Sequence, residues 1–116
     1  MLDRVRKSHL ARTVTYVHGS DSVELAATIG KTTFPIEDGA GAAMTYESRD
    51  YIVSAPDLVL GGERVLPERG DRIRDEVAGA VQVYEVMAPG REQHYRLPGP
   101  DQSILRIHTK LVGTEA

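Results

Sequence analysis

No cysteine occurs anywhere in the sequence, and tryptophan is missing as well. The first absence removes disulfides, thiolate metal sites and cysteine nucleophiles together. The second, with a single phenylalanine, leaves little with which to stack bases, as single-strand binders do. There is no excess of positive charge either. Fourteen basic residues face 17 acidic ones, for a formal charge of −3, which argues against DNA binding driven by overall charge but leaves room for a basic strip. No apolar run approaches the ~20 residues that a membrane-spanning helix needs. The opening "MLDRVRKSHL" carries charges without an apolar region, so it does not read as a secretory signal. These absences point to a protein made and used in a cytoplasm.

What is present describes one ordinary folded unit. At 116 residues, 41% hydrophobic and 27% charged, the chain has the length and composition of a single domain, residues 1–116, with its own core. Seventeen glycines and prolines cut it into short pieces that mostly alternate with period two, the pattern of half-buried strands. "RTVTYVHG" sets Val14 and Tyr16 on one side. "VELAATIG" sets Val23, Leu25, Ala27 and Ile29 together. "RDYIVSA", "DRIRDE" around Ile73, "VQVYEVM" and "ILRIHTKLVG" follow, with turn chemistry such as "HGSDS", "APGRE" and "LPGPDQ" between them. The expected fold is all-β: a small β-barrel of about six to seven short, mainly antiparallel strands, with long loops. Residues 1–11 read either as a short helix, from the spacing of Leu2, Val5 and His9, or as an arm. "SDSVELAATIG" also has a helical reading, with Asp21 as cap and Glu24 three residues on; a strand ending at Ile29-Gly30 is preferred. Residues 30–47 are weakly patterned and are expected to be a long loop.

Most motif fragments fail on inspection. "GKTT" ends like a phosphate-binding loop, but the glycine required five residues before Gly30 is Leu25. "GAGAAM" lacks the third glycine of a dinucleotide fingerprint, where Met44 stands, and no helix signal follows. "HGSDS" gathers His18, Ser20 and Asp21 in a turn, where backbone capping explains them better than a catalytic triad. His9, His18, His94 and His108 form no i, i+4 pair and have no cysteine partners, so no zinc site is expected from spacing. Arg69-Gly70-Asp71 reads as the start of a strand. No pair of carboxylates is favoured as an acid/base couple.

"ILRIHTKLVG" stands apart. If Leu105, Ile107 and Leu111 face the core, then Arg106, His108 and Lys110 share the opposite face. Such a row serves a solvated face, a contact between copies, or a strip against nucleic acid; arginine's planar fork suits the last two.

The run "ESRDYIVSAPDLVLGG", then "LPERGDRIRDE", "VYEVMAPG" and "LRIHTKLVG", resembles the small head-tail joining proteins of tailed bacteriophages, also called head completion or stopper proteins. The resemblance rests on the order and spacing of Asp57-Leu58, Pro67, Gly70-Asp71 and Tyr84-Glu85-Val86, and covers roughly residues 46–113. It implies a structural virion protein without catalysis or cofactor. Copies would form a ring, hexameric or dodecameric, in the phage neck. That ring would sit between the portal or its adaptor and the tail terminator or tube, completing the head, retaining packaged double-stranded DNA and docking the tail. The DNA would pass through the lumen without sequence-specific binding, no membrane would be involved, and assembly would take place in the host cytoplasm. Within such a ring, the cations expected to meet neighbouring copies are Arg4, Arg6, Arg49, Arg106, His108 and Lys110. Glu37, Asp38, Gly39 and Gly41 are expected in a loop facing the channel, where mobile backbone would serve a gate and negative charge would keep DNA from adhering. The alternatives are another tail or connector assembly protein, a small barrel enzyme around His108 or His94, or a nucleic-acid-binding barrel.

Overall fold

The computed structural model describes residues 11–37, 43–89, 93–97 and 103–115. Arg4, Arg6 and His9, the expected arm or helix, and Asp38, Gly39 and Gly41 of the expected lumen loop lie outside these residues.

Nearly every described segment is a strand. In chain order they are β1 (Arg12–His18), β2 (Asp21–Glu37), β3 (Ala43–Ser54), β4 (Val59–Leu60), β5 (Glu63–Arg64), β6 (Arg72–Val77), β7 (Ala80–Val86), β8 (Tyr95–Arg96) and β9 (Ile104–Glu115), with one 3-10 turn at Ala55–Asp57. The main sheet runs β3-β2-β1-β6-β7-β9-β8, and β3 also pairs with β9. Six strands therefore close on themselves, every neighbouring pair antiparallel. This is the small all-β barrel expected from the alternation. Closure satisfies the strand edges that an open sheet of this size would leave bare.

Period two decides what goes inside. Val14 and Tyr16 on β1, Leu25 and Ala27 on β2, Tyr51 and Val53 on β3, and Leu105 and Ile107 on β9 are all at most 3% exposed. Each aliphatic side chain so buried contributes roughly 1.5–3 kcal/mol. The segment after β3 packs Ala55, Leu58 and Leu60 onto the same cluster. It then turns back through the β4–β5 pair.

Three expectations are corrected. β2 does not stop at Gly30: it runs on to Glu37, and residues 30–37 and 43–47 of the expected loop are strand, paired from Thr28↔Ile52 to Glu37↔Ala43. Thr32, Thr33 and Thr45 suit a stretch that has no third strand beside it among the described residues and needs no continuous apolar face. Leu111, expected inside, is 53% exposed, and His108, expected outside, is fully buried. His108 keeps its expected face, but Phe34 packs over it, and Leu111 lies beyond Thr109, where β9 no longer has β3 beside it. A bulge in the β7–β9 pairing follows. Tyr84 opposes Leu111 while Val83 opposes Gly113, so the inside-outside pattern is broken at Val112.

The β6–β7 turn is tight. Ala78 and Gly79 link Val77 to Ala80 with φ of 53° and 83°, the two positive values that a type I′ turn requires. Ala78 is the non-glycine residue with positive φ among those described.

Candidate functional site

β3 and β9 form the seam of the barrel, and their pairing brings together residues 54 and 58 positions apart. Asp50↔His108 and Ile52↔Arg106 are Cα partners. On the neighbouring strand, Thr32↔Ser48 and Gly30↔Asp50 are partners as well. Since alternate residues share a face, Thr32, Ser48, Asp50, Arg106 and His108 all lie on the side away from Tyr51, Leu105 and Ile107.

Asp50 is the centre of this cluster and has no exposed surface. Its Oδ1 accepts from Ser48 Oγ at 2.6 Å and from His108 Nδ1 at 2.8 Å. Its Oδ2 accepts from Thr32 Oγ1 at 2.5 Å and from the Arg106 guanidinium. Burial alone would disfavour the charge. The donors from His108, Ser48, Thr32 and Arg106 outweigh it and hold the carboxyl well below the usual range. Gly30 makes room for this arrangement: a Cβ there would stand 3.3 Å from Arg106 Nη1. The imidazole is fixed from its other side by Phe34, whose ring meets it edge-on at 5.1 Å between centroids. Because Asp50 only accepts, Nδ1 carries the proton, and Nε2 has no hydrogen-bond partner among the described residues.

A second buried carboxylate, Asp75 on β6, organises the barrel interior. Its Oδ2 accepts from Tyr51 Oη at 2.8 Å and Arg49 Nη2 at 3.0 Å. Arg12 Nε stands 3.1 Å from Oδ1, close enough for charge pairing but without a hydrogen bond. Arg49 also donates to Tyr51 Oη at 2.9 Å and lies 4.7 Å over the Tyr84 ring.

Of the cations expected to meet neighbouring copies, three already have partners within the chain. Arg49, Arg106 and His108 are engaged within the chain, by Asp75 and Asp50, which the sequence pattern did not single out. Two strand-adjacent carboxylates become visible as partners only once β3 is aligned with β9 and β6 is brought round. Lys110 is exposed, opposite Glu85 on β7. Arg106, His108 and Lys110 begin on one strand face as expected, but that face is covered at His108.

This geometry does not resemble a working acid/base site. Asp50 stands between Ser48 and His108, so the hydroxyl proton goes to the carboxylate and not to the imidazole. All three residues are at most 1% exposed. His94 donates from its ring to Pro67 O at 2.7 Å. An open depression of about 410 Å³ lies along β2 and β3, lined by Ile29, Gly30, Lys31, Glu47, Ser48 and Arg49. An ion pair between Lys31 and Glu47, 3.7 Å apart, sits within that lining. No helix among the described residues is long and apolar enough to cross a membrane.

What the chain does present is strand edge. From Thr32 to Glu37 on β2, and from Ala43 to Ser48 on β3, the only partner in the sheet among the described residues is the other arm of the hairpin. Beyond Thr109, β9 keeps β7 but has lost β3. Met44, Leu111 and Val112 are 55%, 53% and 40% exposed along these edges. Bare edges with apolar side chains are surfaces for association.

No curated protein and no solved structure gives a significant match to the chain. A family model does, that of the phage head-tail joining protein, over residues 1–116. With its whole length matched and an all-β barrel beneath it, the chain belongs to the phage head-tail joining family, structural proteins of the virion neck.

Proposed function

We propose that copies of this chain close into a ring, hexameric or dodecameric, between the portal or its adaptor and the tail. The ring completes the head, retains packaged DNA and offers the tail its docking surface. The observation that supports this best is the long β2–β3 hairpin, whose outer half pairs with nothing but itself while the rest of the sheet is closed. A head-to-tail ring needs two different surfaces on each copy. The hairpin edges and the free edge of β9 after Thr109 supply them, and strand addition is an economical way to join such edges.

In this reading Lys110, with Arg4 and Arg6, meets acidic groups of neighbouring copies. Arg49, Arg106 and His108 instead support the barrel from within. Glu37, Asp38, Gly39 and Gly41 face the channel in this reading, where Glu37 and Asp38 repel DNA phosphates.

Two experiments test this. Glu37→Lys with Asp38→Lys should slow DNA ejection from assembled particles, and unchanged ejection rules out the lumen placement. Lys110→Gln should leave the isolated domain's stability within about 0.5 kcal/mol, as expected of an exposed residue, while lowering the yield of tailed particles. Normal joining with that variant removes Lys110 from the interface.

A further inference from the structure

One end of the barrel holds a cluster that neither the core nor the ring reading uses. His18 closes β1 just before its turn into β2, and Glu68 and Asp71 lie in the segment leading into β6. The pairing of β1 with β6, which includes Val17↔Arg72, brings these pieces side by side. His18 Nδ1 stands 2.5 Å from Asp71 Oδ1 and 3.3 Å from Glu68 Oε2. One donor atom from each residue falls within 4.8 Å of the other two.

Asp71 is fixed from behind. It is 7% exposed, and its Oδ2 accepts from the buried Tyr16 hydroxyl and from the Glu68 amide, the latter at 3.0 Å. Its Oδ1 is thereby turned towards His18. This is the arrangement that metal-binding carboxylates have: one oxygen for the ion, the other held by outer hydrogen bonds. His18 and Glu68 are 45% and 68% exposed and are free to adjust.

Two carboxylates converging on one ring nitrogen call for positive charge between them. Zinc binds nitrogen and oxygen donors at about 2.0–2.2 Å, so two donors on a tetrahedral ion sit about 3.4 Å apart. The His18–Glu68 separation of 3.3 Å already matches that spacing. The His18–Asp71 separation would have to open by a little under ~1 Å to reach it, and the exposed imidazole can supply that movement. One imidazole with two carboxylates favours a transition-metal dication over magnesium or calcium, which select oxygen alone.

We propose that His18, Glu68 and Asp71 form a three-ligand site for a divalent transition-metal ion, zinc by donor chemistry, with a fourth position open to water. The ion clamps the segment before β6 onto the end of β1. That segment also accepts the His94 ring at Pro67 and displays Leu66, 50% exposed, so the clamp stiffens one face of the barrel end.

The test is calorimetric titration of zinc chloride into the chelator-stripped full chain at pH 7.5. One equivalent should bind. His18→Gln and Glu68→Gln, both altering exposed groups, should each weaken binding at least tenfold while circular dichroism stays unchanged. Zinc should also shift the His18 ring protons in the NMR spectrum before those of His9 or His94. Absence of saturable binding overturns the proposal. Affinity unchanged in His18→Gln, or first shifts at another histidine, overturns it equally.

Discussion

Asp50 and His108 are Cα partners across the β3–β9 seam, and their side chains meet at 2.8 Å with no solvent access. The contact joins the two strands whose pairing closes the barrel, and Arg106 from the same strand completes it. A buried carboxylate with this many donors behaves as a fastener whose removal strands its partners.

Asp50→Ala should therefore cost about 3–5 kcal/mol of folding stability, because Arg106 and His108 are left without their acceptor. Urea denaturation measures it. A loss under about 1 kcal/mol would show the cluster to be dispensable.

The same carboxylate predicts acid sensitivity. Its pKa is depressed in the folded chain, against about 3.9 when unfolded. Its contribution is complete above the unfolded value and disappears as pH falls through the lower folded one. Between pH 5 and pH 2 the wild-type chain should lose more stability than Asp50→Asn does. Parallel pH curves for the two would contradict this.

Tyr51 serves Asp75 in the barrel interior. Tyr51→Phe removes a hydroxyl that donates to Asp75 and accepts from Arg49, at constant ring packing. The expected loss is about 1–3 kcal/mol, the cost of an unsatisfied buried group. A variant as stable as the parent in thermal unfolding would assign the support of Asp75 to Arg49 and Arg12 alone.

Ala78 offers the opposite sign. It holds a φ of 53° in the β6–β7 turn, where asparagine before glycine is the favoured pair. Ala78→Asn should stabilise the chain by roughly 0.5–1 kcal/mol, read as a rise in the melting midpoint. A lower midpoint would mean that the alanine methyl is needed where it stands.

The barrel was legible in the sequence because its core strands alternate cleanly. Val14 and Tyr16, Leu25 and Ala27, and Leu105 and Ile107 announce the faces on which they lie. The outer half of the β2–β3 hairpin was not legible, since a ribbon without further neighbours needs no apolar stripe and "GKTT" reads as a loop. His108 was misplaced for a related reason. Alternation shows which face a residue takes but not whether that face is covered, and Phe34 covers it. The His18 cluster escaped because its ligands are some fifty residues apart in sequence and meet only through the β1–β6 pairing.

The location of the seam bears on how the chain reaches its native state. β9 must dock between β3 and β7, and Val53 meets Leu105 only when nearly the whole chain has been made. Contacts of such long range slow the folding search, and both flanking strands stay unprotected while it lasts. Docking of β9 is thus expected to be the late, rate-limiting event, and substitutions in it should trap open sheets that clump during synthesis.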